Sequence, residues 1–223
     1  MSLLMGATLL LQTASASSIT YDFDHEFSSG TPPAGAAPWL QAVFSDAGAN
    51  TVQLTLSTLN LTGSEFVSGW YFNLNPAFST ADLTISQTGM GGAFDAPSIS
   101  RGTDAFKADG DGKYDLLFSF GTAGDASQRF TSGDSITFTL SGITGLNAAD
   151  FNYMSAPAGG HGPYVAATHV QSIDGNYSGW LDPSTTLDSG DVQVPDGYLT
   201  IVLLGMGCVA IEGLRRKFGL ARV

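Results

Sequence analysis

The feature that most constrains the fold of this chain is an alternation of apolar and polar residues along its central part. The alternation is clearest at residues 52–57, 83–86 and 135–141. Because successive side chains of a β-strand point to opposite faces, this period of two predicts strands with one buried and one exposed face. Weaker alternation and strand-forming composition predict four further strands, at residues 66–74, 114–120, 151–154 and 164–170.

Clusters of Gly, Asn, Asp, Ser and Pro separate these segments, as at residues 89–92 and 159–163. Such residues favour tight turns. No segment of the body shows a long helical period, and only residues 123–128 and 146–150 are compatible with one short helical turn. Short strands joined by turns predict an all-β fold, an antiparallel β-sandwich or jelly roll, over residues 17–183.

The N-terminal residues predict export. Residues 2–11 are mostly apolar, and Ala14-Ser15-Ala16 matches the Ala-x-Ala pattern of signal-peptide cleavage sites. We therefore interpret residues 1–16 as a secretory signal peptide that is cut after Ala16. The alternative is a buried first strand or helix.

A second apolar segment, residues 199–211, lies near the C-terminus and contains no charged residue. Four turn-forming residues precede it, namely Val194, Pro195, Asp196 and Gly197, and three consecutive cations follow it, namely Arg215, Arg216 and Lys217. A helix over residues 198–214 would be about 25 Å long, slightly short of the ~30 Å hydrocarbon core of a bilayer. The pattern predicts a single transmembrane helix with its basic end in the cytoplasm and the body outside. The alternative is an amphipathic or core helix at the C-terminus.

These three parts occur in a fixed order: a short proline motif, an apolar helix that contains Gly205, and a basic end. Together they resemble the PEP-CTERM sorting signal in its Val-Pro-Asp variant, and the resemblance covers residues 194–218. It implies export across the inner membrane, recognition near Pro195 by an exosortase-type membrane enzyme, and delivery to the cell surface or to an exopolysaccharide matrix. The polar residues 184–193 are then a spacer between the body and the membrane.

The charge of the body excludes one class of partner. Residues 17–193 contain eighteen of the chain's acids and four of its cations, which gives a net charge of −14. Such a surface repels phosphate backbones, so we expect no nucleic-acid binding. The single cysteine, Cys208, lies in the C-terminal apolar segment, and the body therefore has no disulfide.

An acidic, glycine-containing segment at residues 107–115 is the best candidate for a metal site. Carboxylates at alternate positions, with Gly allowing a sharp turn, can surround a hard cation such as calcium. The segment resembles the Asp-Gly-Asp-Gly-x-x-Asp loops of extracellular calcium-binding repeats, and by that resemblance Asp109, Asp111 and Asp115 are ligands. Lys107 stands at the first acidic position of those loops, and no bidentate Glu follows, so the predicted calcium site is weak. The alternative is a β-turn that is merely acidic.

Large aromatic residues provide the second candidate site. Trp70, Tyr71 and Trp180 lie in or beside segments that contain Gly or Ser, where strands meet loops and rings can face solvent. Exposed aromatic faces stack on sugar rings, and an exopolysaccharide is the environment that the C-terminal signal implies. The alternative is that these rings belong to the core, which is the more common role of aromatic residues in a sandwich.

No motif in the sequence points to catalysis. The histidines, His25, His161 and His169, lack the spacing of a zinc site, and no Gly-x-Ser-x-Gly nucleophile motif is present. We therefore expect a non-catalytic surface or extracellular-matrix protein of structural or interaction type. The alternative function is a carbohydrate-binding module, assisted by calcium, and a hydrolase ranks last.

Overall fold

A computed structural model describes residues 17–160 and 162–184 of the chain. The predicted signal peptide (1–16), nearly all of the spacer and the sorting segment (194–218) lie outside the described residues. Among the residues that are described, no helix is long and apolar enough to cross a membrane. The predicted transmembrane helix at residues 198–214 is not part of that search.

Eleven strands and two short 3-10 helices make up the described body. Every strand except β8 has seven residues or more. The strands are β1 (Ser18–Glu26), β2 (Leu40–Gly48), β3 (Thr51–Thr58), β4 (Phe66–Phe72), β5 (Thr84–Gly91), β6 (Ser98–Ala108), β7 (Asp111–Ser119), β8 (Phe130–Thr131), β9 (Ser135–Ser141), β10 (Ala166–Ile173) and β11 (Tyr177–Pro183). The 3-10 helices are Ala126–Gln128 and Ala148–Phe151.

All of the strand pairs are antiparallel, which confirms the predicted all-β, antiparallel class. The strands form one continuous sheet in the order β5-β9-β3-β2-β1-β11-β10-β4-β7-β6, with β8 paired to β4. A sandwich would have two separate sheets. In this structure the pairing of β1 with β11 joins the two halves instead.

The sheet curls so that its two halves face each other across one core. Phe44 of β2 lies 5.2 Å from Phe72 of β4, and Phe118 of β7 lies 4.9 Å from Phe138 of β9, between ring centroids. These strands are far apart in the sheet order, so the contacts require the curl. The inward residues of β3 and β9 show how the alternation is used, since every second side chain is buried: Val52, Leu54, Leu56, Ile136, Phe138 and Leu140.

One predicted strand, residues 151–154, is wrong. Phe151 ends the 3-10 helix Ala148–Phe151, and the following residues are irregular. Asn147 caps this helix: its side chain accepts a hydrogen bond from the Ala149 N–H, while the Asp150 carboxylate accepts one from the Asn147 N–H. This reciprocal cap favours a helical start over an extended one. Phe151 is buried because it stacks on Phe44, not because it belongs to a strand.

A second, smaller cluster of buried side chains lies apart from the main core. Its buried members are Phe27, Ala108, Tyr114 and Ala167, and three partly buried rings pack against them, those of Tyr71, Tyr164 and Trp180. Two of the residues predicted to bind glycans, Tyr71 and Trp180, belong to this cluster.

Candidate functional site

Strand register places several aromatic side chains on the outer face of β11, β10 and β4. His169 is paired with Trp180 on one side and with Gly69 on the other, and Ala167 is paired with Tyr71. Residues one step away, such as Trp70, point to the opposite face and into the main core. We call the outward rings of Phe27, Tyr71, Tyr114, Tyr164, His169 and Trp180 the aromatic face.

The rings of the aromatic face contact one another from strand to strand. His169 stacks on Trp180, with 4.3 Å between centroids and 15° between planes, and Trp180 lies 5.4 Å from Tyr71. Tyr71 in turn lies 5.7 Å from Tyr114. Phe27 and Tyr164 form a further pair at 4.3 Å. His169 and Trp180 form a direct cross-strand pair, and such pairs stabilise a sheet and fix the orientation of each ring.

Small residues make room for these rings. Gly69 is one of them, because a Cβ at this position would lie 3.2 Å from the Cε2 atom of Tyr71. The Tyr71 ring therefore lies across the backbone of Gly69. Ala167, paired with Tyr71 itself, is fully buried beneath the cluster.

Exposure differs among the rings. Phe27 and Tyr114 are buried, whereas Tyr71, Tyr164 and Trp180 are half-buried and keep part of each ring in solvent. A half-buried ring on a paired strand is a pre-oriented contact surface, since little conformational entropy is lost when a ligand binds to it.

His169 is a neutral member of the aromatic face. The amide nitrogen of Gln171 lies 3.2 Å from Nδ1 of His169, and an amide nitrogen can only donate, so Nδ1 accepts. Burial lowers the pKa of His169, which favours the same neutral form. The stacked His169–Trp180 pair thus carries no charge near pH 7.

A buried carboxylate lies on the same face. Asp182 follows Trp180 by two residues on β11 and is only 6 % exposed. Its Oδ1 atom lies 2.8 Å from Nδ1 of the exposed His25. Burial raises the pKa of Asp182, and the hydrogen bond from His25 opposes that rise.

Further carboxylates act on two of the three phenols of the aromatic face, those of Tyr164 and Tyr114. Burial, together with the charges of Asp182, Asp111 and Glu26, raises the pKa of Tyr164 to about 12. Burial likewise raises the pKa of Tyr114, on which Asp182 and Asp111 also act. Two carboxylates thus act on both phenols, and the neighbourhood is electronegative.

The Tyr114 hydroxyl is the least satisfied polar group of the aromatic face. It is fully buried and makes no hydrogen bond of normal geometry to any residue that the structure describes. The Ser155 hydroxyl is near enough to lower the pKa of Tyr114, though less than burial raises it.

The predicted calcium residues have separate positions. Asp109 and Gly110 form the two-residue turn between β6 and β7, with φ values of 50° and 77°. Positive φ at both positions is typical of the type I′ turn that joins antiparallel strands. Asp109 is therefore exposed at a hairpin tip, whereas Asp111 is 3 % exposed at the start of β7.

Asp115 is held by the backbone. Its two oxygens accept hydrogen bonds from the Leu74 N–H at 2.9 Å and from the Asp104 N–H at 2.8 Å. In the described part of the chain, no group of three His, Cys, Asp or Glu side chains is arranged to hold a metal ion. The structure thus does not bring Asp109, Asp111 and Asp115 together as a ligand set.

One predicted glycan-binding residue needs correction. Trp70 is fully buried in the main core, where its ring meets Phe23 edge-on at 5.1 Å. Its position on β4 points it away from Tyr71, the next residue. Trp70 therefore presents no ring face to a ligand, whereas Tyr71 and Trp180 remain candidates.

Sequence reasoning missed the remaining members of the site, Phe27, Tyr114, Tyr164, His169 and Asp182. A signal existed for one of them. Asp174 and Gly175 are turn-forming residues, and a hairpin centred on them places His169 opposite Trp180, as observed. Asp182 follows Trp180 by two residues on β11, and Phe27, Tyr114 and Tyr164 come from other segments of the chain.

A separate cavity of about 280 Å³ lies beside the Asp115 carboxylate. The exposed side chains of Tyr153 and Met154 form part of its wall. The buried carboxylate that borders this cavity is that of Asp115, and it already accepts the two backbone hydrogen bonds described above. We therefore regard the aromatic face as the stronger candidate site.

The sorting residues, Val194 to Gly197 and Arg215 to Lys217, lie outside the described residues. Comparison of the chain with protein-family models, with curated proteins and with solved structures found no match. The class defined by the fold and by the site is thus an antiparallel β-domain with an outward aromatic and acidic face. Such a face can stack on apolar ring faces and accept hydrogen bonds from hydroxyl or ammonium groups.

Proposed function

We propose that this chain is an exported bacterial protein of the cell surface or extracellular matrix, with a non-catalytic role of structural or interaction type. The sequence feature that supports export is the occurrence of a predicted N-terminal signal peptide (1–16) together with a segment that resembles a C-terminal sorting signal (194–218). In this proposal an exosortase-type enzyme acts near Pro195, after the helix at residues 198–214 has anchored the chain in the inner membrane.

The test is the intact mass of the mature protein from its native host, measured separately in membrane and extracellular fractions. We expect a mass that lacks residues 1–16 and everything beyond about Pro195. A mass that retains residues 199–223 would make the C-terminal segment a plain membrane anchor and would overturn the sorting proposal.

Carbohydrate binding is the second candidate function, and the aromatic face favours it. Tyr71 and Trp180 are half-buried on β4 and β11, the two strands that flank β10, and their rings are held by mutual contact at 5.4 Å. Carboxylates beside them provide acceptors for sugar hydroxyl groups. This combination of fixed rings and acceptors is the usual composition of a polar-ligand site.

A glycan array tests this second function. We expect the full chain to retain at least one polysaccharide and the variant Trp180→Ala to lose it. The matched control is Tyr177→Ala, which removes an exposed aromatic ring from the same strand but outside the aromatic face. If both variants retained the polysaccharide, this face would not be the binding site. If the wild type retained no polysaccharide, carbohydrate binding through this face would likewise be excluded.

The predicted calcium site has its own test, which is the thermal unfolding of the chain with and without millimolar calcium. A ligand that binds only the folded state raises the melting temperature by mass action. If Asp109, Asp111 and Asp115 bind the ion, calcium should raise the melting temperature of the wild type but not of Asp111→Ala. An unchanged melting temperature would assign Asp109 to a hairpin turn alone.

A further inference from the structure

Among the residues that the structure describes, the charges that act on the Tyr164 phenol have one sign. Each of the three charges that act on Tyr164 is a carboxylate, belonging to Asp182, Asp111 and Glu26. The partner of Asp182 is His25, which is charged only when protonated. The phenols of Tyr164 and Tyr114 therefore lie in the negative potential of these carboxylates.

The rings themselves add to that potential. Trp180 and Tyr71 are tilted by 56° to each other, and Tyr164 is a third half-buried ring of the same cluster. The faces of aromatic rings are negative and attract cations, most strongly where water is partly excluded. Rings and carboxylates thus favour the same kind of ligand, one that combines an apolar surface with a positive charge.

The Tyr114 hydroxyl is a further polar group of this cluster. It lacks a hydrogen-bond partner of normal geometry among the described residues, although it is 0 % exposed. Leaving a buried hydroxyl unpaired destabilises the folded state.

We propose that the aromatic face binds polysaccharides that carry free amino groups, with a sugar ring against Trp180 and Tyr71 and its ammonium group in the field of Asp182 and Glu26. This inference rests on the carbohydrate-binding function proposed above and specifies its ligand class. N-acetylation of the sugar removes the charge and leaves the ring, so the proposal predicts selectivity between two ligands of otherwise similar shape.

The experiment compares a glucosamine hexamer with an N-acetylglucosamine hexamer by isothermal titration calorimetry. The full chain is used in a detergent without a sugar headgroup, at low and at high salt. We expect the glucosamine hexamer to bind about tenfold more tightly at low salt, which corresponds to a single favourable charge interaction. High salt should reduce this ratio, because screening weakens exposed charges.

Two substitutions separate the contributions of charge and ring. Asp182→Asn and Glu26→Gln keep shape and one acceptor oxygen, so each should lower the ratio of the two affinities without weakening the N-acetylglucosamine hexamer. Trp180→Ala should weaken both hexamers. The matched charge control is Asp174→Asn, since Asp174 is an exposed acid in the β10–β11 turn, outside the aromatic face.

Each other outcome overturns the proposal in a distinguishable way. Equal affinity for the two hexamers would leave carbohydrate binding intact and exclude recognition of the amine. Binding of neither hexamer, with no polysaccharide retained on the array, would remove both functions. If Asp174→Asn lowered the ratio as much as Asp182→Asn, or if polylysine bound equally well to the wild type and to Trp180→Ala, overall negative charge rather than the aromatic face would be responsible.

Discussion

At the scale of single residues, the acids of this chain have different roles although they look alike in sequence. Asp109 is exposed at a turn, Asp115 holds two backbone N–H groups, and Asp182 is buried beside His25. Alternate acidic spacing therefore does not imply a shared site. What separates these residues is whether each lies in a turn or on a strand, and how far its surroundings bury it.

Asp115 is expected to matter for stability. Its carboxylate accepts from Leu74 and Asp104, and the substitution Asp115→Ala leaves both N–H groups without that partner. We expect a loss of about 2–4 kcal/mol in the free energy of unfolding, because an unpaired buried donor costs about 1–3 kcal/mol. Urea unfolding measures it, with the exposed Asp82→Ala as the control. Equal stability of the two variants would show that these hydrogen bonds contribute nothing net.

His169 gives the body a predictable response to acid. Burial lowers the pKa of His169 below its ordinary 6.5, so the unfolded chain takes up a proton more readily than the folded chain. The stability that neutral His169 contributes is complete above pH 6.5 and is lost as the pH falls through this range. Urea unfolding from pH 5 to 8 should show a smaller acid-induced loss in His169→Gln than in the wild type. Parallel curves for the two proteins would contradict this sign.

The wild type has to be compared with His169→Gln because Asp182 changes the stability with pH in the opposite direction. Burial raises the pKa of Asp182, so the folded chain binds its proton more readily than the unfolded chain does. Its contribution to stability decreases as the pH rises above the ordinary value of 3.8. Both proteins contain Asp182, so its contribution drops out when the free energies of unfolding of the wild type and of His169→Gln are subtracted at each pH.

At the scale of elements, the β6–β7 hairpin depends on its turn residues. Gly110 has a φ of 77°, and a Cβ there would meet no atom within 4 Å. Gly110→Ala should therefore cost about 1 kcal/mol through backbone conformation alone, without a clash. Asp109→Asn is the control, because Asn tolerates the φ of 50° at that position. Thermal unfolding compares the stabilities of the two variants. If Gly110→Ala were as stable as the wild type, the turn would not require glycine at position 110.

Some elements follow from local pattern and others do not. The segment 135–141 coincides with β9, and 52–57 lies within β3, because each of these strands has one face on the core. Strand β6 was not predicted: it lies at the edge of the sheet and is mostly exposed, so its residues carry no apolar alternation. Strands β1, β2 and β11 were also missed, although inward residues such as Phe23, Phe44 and Leu181 are fully buried.

At the scale of the whole molecule, the first and last strands of the body meet in the middle of the sheet. Strand β11 pairs with both β1 and β10, and its Leu181 is fully buried in the core. Removing β11 would open two strand edges at once and expose the core between them.

We therefore expect a chain of residues 17–184 to unfold in one cooperative thermal transition and a chain of residues 17–174 not to fold. Near-ultraviolet circular dichroism measures the difference, because the signal of packed aromatic residues requires a fixed core. A cooperative transition in the shorter chain would mean that β11 is dispensable and that β1 and β10 are stable as edges.

The sequence alone determined the antiparallel all-β class, since alternation and turn residues are local properties. It also supplied Tyr71 and Trp180 as candidates. Only the tertiary structure decided that Trp70 is core while its neighbour Tyr71 faces outward, because that depends on which face of β4 the curled sheet covers. The structure likewise decided that Phe27, Tyr114 and Tyr164 gather around those two rings. Their proximity is set by the pairing of strands distant in sequence, and no local pattern carries the register of such pairs.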